Sequence, residues 1–208
     1  MTVKVKICGI TRLEDALAAL EAGADYLGFI LYEKSPRYIA PERLRELTAR
    51  LPESCRKVGV FVNAPADHIR AVMRECDLNV VQLHGDETAE FAAGLKMEGI
   101  WKACHLTDAS QLATLEGFPA DVLVIDSSTP QARGGTGLRC DWNLAAGAAC
   151  RWRVMLAGGI NGDNAADAVR AVRPYGLDVA SGVEAAPGIK DHEKIKKLFN
   201  NLKQAGLR

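Results

Sequence analysis

Two glycine turns, one thiol and one carboxyl carry most of the chemistry this sequence can offer. Gly158 and Gly159 sit in Leu156-Ala157-Gly158-Gly159-Ile160, and Ser181 and Gly182 in Ala180-Ser181-Gly182-Val183, each directly after an apolar, β-rich run. Glycine amides at the start of a following helix can cradle a dianion, so a phosphorylated ligand is the expectation, against the plainer reading that such glycines only make tight turns. Cys8 closes Lys4-Val5-Lys6-Ile7-Cys8, and Asp126 closes Val122-Leu123-Val124-Ile125-Asp126. A lone buried cysteine is most often a small hydrophobe, and an aspartate after a strand can simply cap a helix. A thiolate base and a carboxylic acid facing one another are, however, suited to paired proton transfers. A third glycine cluster, Arg133-Gly134-Gly135-Thr136-Gly137, reads as a loop that could close over substrate.

Other chemistries are disfavoured. The four histidines, His68, His84, His105 and His192, show no metal-ligand spacing, so neither a metal nor another cofactor is expected. His84, in Gln82-Leu83-His84-Gly85, is expected to line a substrate mouth and hydrogen bond there. With 26 Lys plus Arg against 26 Asp plus Glu, no net field draws the chain to nucleic acid, and a small molecule is the expected partner. Apolar runs are short and the first residues lack the apolar centre of a signal peptide, so a cytoplasmic protein without membrane association is expected. The six cysteines form no Cys-x-x-Cys pair and read as reduced thiols.

These residues need elements that bring them together. Short β-rich runs recur at Val3 to Ile7, Tyr26 to Ile30, Val58 to Phe61, Val80 to Leu83, Ile100 to Cys104, Val122 to Ile125, Val154 to Leu156 and Gly176 to Val179. Segments of helical period lie between them, such as Leu13, Leu17, Leu20 and Ile69, Val72, Met73. Strand then helix, repeated eight times, predicts crossover connections, eight parallel strands and a single α/β domain over residues 1–208, a (β/α)8 TIM barrel. The rival, an open doubly wound sheet, usually carries a Gly-x-Gly-x-x-Gly turn after its first strand, where this chain has Cys8-Gly9-Ile10-Thr11. In such a barrel the site lies at the carboxyl ends of the strands, where Cys8, Asn63, His84, Asp126, Gly158 and Ser181 fall. Alternation of faces puts Lys4, Lys6 and Cys8 on one side of the first strand and aims Asp178 inward.

Read in order, Lys6-Ile7-Cys8-Gly9-Ile10-Thr11, Ser35-Pro36-Arg37-Tyr38, Val58-Gly59-Val60-Phe61-Val62-Asn63, Val81-Gln82-Leu83-His84-Gly85, Gly134-Gly135-Thr136-Gly137 with Asp141-Trp142, Leu156-Ala157-Gly158-Gly159-Ile160, and Ser181-Gly182-Val183-Glu184 with Pro187-Gly188 and Lys190-Asp191 resemble the phosphoribosylanthranilate isomerase family. The resemblance runs from the first strand to the last helix. It implies a cofactor-free Amadori rearrangement in tryptophan biosynthesis, with Asp126 as acid, Cys8 as base and Arg37 holding the anthranilate carboxylate of a phosphosugar substrate. His84, Gly135 and Asp178 are then expected at the substrate, and Gly158, Gly159, Ser181 and Gly182 at its phosphate. Ala180 departs from the family's frequent serine, which leaves the amides in place. The related isomerase of histidine biosynthesis resembles a longer two-halved barrel with an aspartate at the first strand end, where Cys8 stands here. A phosphate-binding barrel without catalysis is the alternative from another class, disfavoured by the presence of both Cys8 and Asp126. The chain is expected to be a monomer or homodimer.

Overall fold

The computed structural model describes residues 2–106, 108–126 and 142–208. The strands are β1 (Lys4–Cys8), β2 (Tyr26–Ile30), β3 (Arg56–Phe61), β4 (Val80–Leu83), β5 (Ile100–His105), β6 (Val122–Asp126), β7 (Val154–Ala157) and β8 (Gly176–Val179). Each pairs in parallel with the next, and β8 returns to β1 to close the barrel. The closed eight-stranded barrel is the architecture expected. Strand ends differ from expectation by one or two residues: β1 begins and ends one later, β3 starts at Arg56, and β5, β6 and β7 each run one further. Ladder hydrogen bonds set these limits, and the apolar pattern alone does not report them.

The outer layer comprises α1 (Leu13–Ala22), α2 (Pro41–Thr48), α3 (Ala66–Glu75), α4 (Ala89–Gly94), α5 (Trp142–Ala149), α6 (Ala165–Val172) and α7 (His192–Gln204). Local chemistry starts several of them. Pro41 stands in the first turn of α2, Thr88 accepts from the Phe91 amide at α4, and Asp191 accepts from the Glu193 and Lys194 amides at α7. The fifth unit departs from the strand-then-helix pattern, because a 3-10 helix, Ala109–Leu115, follows β5, opened by a capping box between Asp108 and Gln111. In α1 the helical period also misleads. Ala16 and Ala19 are fully buried, whereas Leu17 is 45% exposed, so the small residues let this helix approach the barrel closely.

Face alternation divides the strand residues between two cores. Ile7, Leu27, Phe29, Phe61, Val81, Leu83, Leu123, Ile125, Leu156 and Leu177 point outward and pack beneath the helices. Tyr26, Val58, Val80, Trp101, Val122, Val124 and Met155 point inward and plug the amino-terminal part of the barrel. Tyr26 and Trp101 meet edge to face with centroids 4.9 Å apart. This apolar plug leaves only the carboxyl-terminal mouth for polar side chains, as Cys8, His84 and Asp126 require. A cleft of about 990 Å³ does open at the amino-terminal face, lined by Arg56, Trp101, Asp121, Arg153 and Tyr175 among others, but the plug separates it from those three residues. Among the described residues no helix is long and apolar enough to cross a membrane.

Candidate active site

Above the apolar plug lies a layer of charge. The Lys6 side chain is fully buried, and its ammonium donates to Asp178 Oδ2 at 2.9 Å, Asp178 Oδ1 at 3.1 Å and Gln82 Oε1 at 2.8 Å. Parity predicts this for Asp178, whose strand pairs Lys6 directly with it. The amide of Gln82 continues to His84 Nδ1 at 2.9 Å, so a hydrogen-bonded chain crosses the barrel just below its mouth. His84 is open to the mouth on one side. The barrel wall around it, aided by the Lys6 charge, holds its pKa below the usual histidine value and keeps the ring neutral near pH 7.

Cys8 stands one inward position above Lys6 at the end of β1, 7% exposed. Burial pushes its thiol above the ordinary range, Lys6 works in the opposite direction, and Asp178 adds to the rise. Asp126 ends β6, half-buried, three strands round the barrel from β1. Cys8 and Asp126 end their strands and His84 directly follows β4, so thiol, imidazole and acid share one mouth. The first helix described after Asp126 is α5, from Trp142.

A second cluster flanks Cys8. Arg37, in the loop between β2 and α2, donates from Nε to Glu184 Oε1 at 2.8 Å and from Nη2 to Glu184 Oε2 at 2.7 Å. Lys190, also fully buried, donates to Glu184 Oε1 at 2.9 Å, to the Cys8 carbonyl at 2.6 Å and to the Ala180 carbonyl at 3.3 Å. Burial opposes ionisation of Glu184, but the hydrogen bonds from Arg37 and Lys190 hold its carboxyl below the usual range. The pair with Arg37 occupies the Nε and Nη2 edge of the guanidinium and fixes its plane, which leaves Nη1 pointing away from Glu184. β9 (Glu184–Ala186) and β10 (Ile189–Lys190) form the small hairpin that carries both partners.

The glycine turns adopt two different forms. Gly158 and Gly159 have φ of 89° and 67° and lie in a bend, and α6 begins only at Ala165, so these two amides do not open a helix as the sequence suggested. Asn161 and Asn164 brace the turn before α6, the Asn161 amide donating to Asn164 Oδ1, the Asp163 amide to Asn161 Oδ1 and Asn164 Nδ2 to the Gly159 carbonyl, and the helix itself starts without a side-chain cap. Ser181 and Gly182 do open a short 3-10 helix, Ser181–Val183. A Cβ at Gly182 would fall on the Ile160 carbonyl oxygen, whereas one at Gly159 would meet no atom within 4 Å. Gly182 thus lets the two turns abut, and Gly159 faces open space. Ser181 and Gly159 are both exposed.

Gly135 and its glycine neighbours lie outside the described residues. Sequence reasoning passed over several residues that shape this mouth. Lys6 and Gln82 are polar residues at inward positions of otherwise apolar strands, a signal available in the chain. Glu87 and Lys102 escaped because their role is purely tertiary. Lys102 donates to Glu87 Oε2 at 3.0 Å and the Gly85 carbonyl at 2.5 Å, while Glu87 accepts from the Asn63 and Gly85 amides, tying two mouth loops together. Among the described residues no three His, Cys, Asp or Glu side chains converge as a metal site requires.

Comparison with known proteins agrees with this geometry. The family profile described as N-(5'phosphoribosyl)anthranilate (PRA) isomerase matches residues 5–201. An N-(5'-phosphoribosyl)anthranilate isomerase of Pelobacter propionicus is 47% identical over 202 residues, spanning 97% of this chain and 96% of that protein. The crystal structure of phosphoribosyl anthranilate isomerase from Thermotoga maritima has a TM-score of 0.87 at 42% identity, covering 98% of this chain and 100% of that one. A structure of such an isomerase in complex with reduced 1-(o-carboxyphenylamino)-1-deoxyribulose 5-phosphate has a TM-score of 0.84 at 39% identity, with 98% and 100% covered.

Proposed function

From the premise that this chain belongs to the N-(5'-phosphoribosyl)anthranilate isomerase family, we propose the part each mouth residue takes in converting N-(5'-phosphoribosyl)anthranilate to 1-(2-carboxyphenylamino)-1-deoxyribulose 5-phosphate. Asp126 protonates the furanose ring oxygen, and the ring opens to a Schiff base. Cys8, as thiolate, then removes the proton on sugar carbon 2, and the resulting enolamine tautomerises to the ketone. The reaction moves protons and electron pairs within one molecule and consumes no redox equivalent. The observation that supports this reading is that a thiol and a carboxyl both end strands at one barrel mouth above an apolar plug. The direct test is a turnover assay with freshly generated phosphoribosylanthranilate, in which loss of anthranilate-type fluorescence is expected. A folded, purified chain that leaves the fluorescence unchanged would refute it. Free thiols at Cys8, Cys55, Cys76, Cys104 and Cys150 support a reducing, cytoplasmic setting.

Arg37 receives the anthranilate carboxylate, and the Glu184 pair supports this by fixing the plane of the guanidinium. Arg37→Ala is expected to lower kcat/KM by a factor equivalent to about 2 to 3 kcal/mol of charge-assisted bonding, with lysine rescuing only in part. Steady-state kinetics with parental kcat/KM in Arg37→Ala would return Arg37 to a role in loop packing alone.

The amides around Gly158, Gly159, Ser181 and Gly182 receive the phosphate. Gly159 offers the better test, since its side-chain direction is open and its left-handed φ of 67°, strained for any side chain, is one that aspartate enters more readily than most residues. Gly159→Asp is expected to raise KM at least about tenfold, the factor that ~1.4 kcal/mol of repulsion from a dianion produces, with kcat little changed. An unchanged KM would move the phosphate elsewhere. Gly182→Asp is not an equivalent test, because any side chain there displaces the Ile160 carbonyl and disturbs both turns.

A further inference from the structure

Lys6 has no part in the steps above, yet the barrel invests heavily in it. An ammonium taken wholly out of water carries a heavy desolvation cost that an apolar side chain of similar volume avoids. Here it sits at the end of the apolar plug, with one carboxylate, one amide oxygen and a sulfur around it. Gly28 shows how tightly the last of these is held. Cys8 pairs with Gly28 across the β1–β2 ladder, and a Cβ at that glycine would stand 2.8 Å from Cys8 Sγ and 2.8 Å from Lys6 Cε. The sulfur and the end of the lysine chain therefore close over the single space that the missing side chain leaves. Asp178 and Gln82 take the ammonium hydrogens, which anchors the lysine chain in the space it shares with the sulfur, where its charge favours the thiolate.

We infer that Lys6 is a positioning residue for the proton transfer, a permanently charged ammonium that holds the Cys8 sulfur against Gly28 and stabilises it as the thiolate. The inference rests on the reading of Cys8 as base. The groups facing that sulfur are Lys6 on its own strand, Asp178 on β8, Lys190 on β10 and Arg37 in the loop after β2. Lys190 and Arg37 are both committed to Glu184, and Lys190 reaches the Cys8 carbonyl instead of its sulfur. Of the three cations, Lys6 is the one whose side chain shares the space beside Gly28 with the sulfur. During the step the carbon 2–hydrogen bond breaks and an S–H bond forms, while the electron pair passes into the carbon 1–carbon 2 bond of the enolamine. Lys6 keeps its protons throughout, so the pocket changes from an ammonium–thiolate pair to ammonium and thiol.

The test reads Cys8 ionisation directly. Alkylation by iodoacetamide is followed on the Cys8 peptide by mass spectrometry as a function of pH, in the parent, Lys6→Met and Asp178→Asn. Thiolate is the reacting form, so Lys6→Met is expected to alkylate on the order of tenfold more slowly at pH ~8, its midpoint moved to higher pH by about a unit. Its kcat should fall with KM near the parental value, because Lys6 lies beneath the mouth. Asp178→Asn keeps the lysine, removes its opposing charge and should move the midpoint to lower pH. If Lys6→Met does not fold, Asp178→Asn decides. A midpoint that stays at the parental pH in the folded variants overturns the inference. A shifted midpoint alongside a fully active Cys8→Ser would instead keep the ammonium–thiol pair and remove Cys8 as base.

Discussion

Replacing Cys8 by serine is expected to lower kcat by roughly 10² to 10⁴-fold, the usual worth of a positioned base, and to change KM far less. Serine preserves the shape of the side chain against Gly28 but offers a hydroxyl that hardly ionises where the thiol can. Deuterium at sugar carbon 2 should slow this variant further, since abstraction of that proton becomes the limiting step. The parent has its own signature. Because burial pushes the Cys8 thiol up despite Lys6, kcat/KM should rise with pH through a titration on the alkaline side of the ordinary thiol range. The sign follows from the thiolate being the active form, present only above the thiol's folded-state pKa. Alkylation of Cys8 should abolish activity, and substrate should protect. A folded Cys8→Ser enzyme with parental kcat would leave the base to be found elsewhere.

Asp126→Asn is expected to cost a similar factor, about 10² to 10⁴-fold in kcat, for a different reason. The amide keeps the volume and hydrogen-bonding shape at the end of β6 but cannot deliver a proton to the ring oxygen. Ring opening then limits the rate, so deuterium at carbon 2 should slow Asp126→Asn less than Cys8→Ser. This difference is the more telling measurement. Equal isotope effects in the two variants would show that the two residues do not act on successive steps in the order proposed, even if both variants are slow.

The local pattern of the chain made the barrel legible. Eight β-rich runs separated by helical periods leave little other than a closed parallel sheet, and alternation along β8 aims Asp178 inward, where it meets Lys6. Period and parity are properties of residues adjacent in sequence, so they survive without knowledge of the fold. Element ends were less legible, and a 3-10 helix replaced an α-helix after β5, because capping and ladder bonds compete there with similar local energies.

The amino-acid sequence by itself thus determined which residues stand at the strand ends and which chemical types meet at the mouth. Only the tertiary structure decided their condition. Lys6 finds Gln82 and Asp178 across separations of 76 and 172 residues, and Arg37 is pinned by Glu184 across 147. Those bonds exist because closure of the barrel places β1 beside β8 and folds the final hairpin under the first loops. Closure also removes water from Cys8, and desolvation, a property of everything packed around a group, is what raises its thiol and gives the ammonium beneath it a purpose.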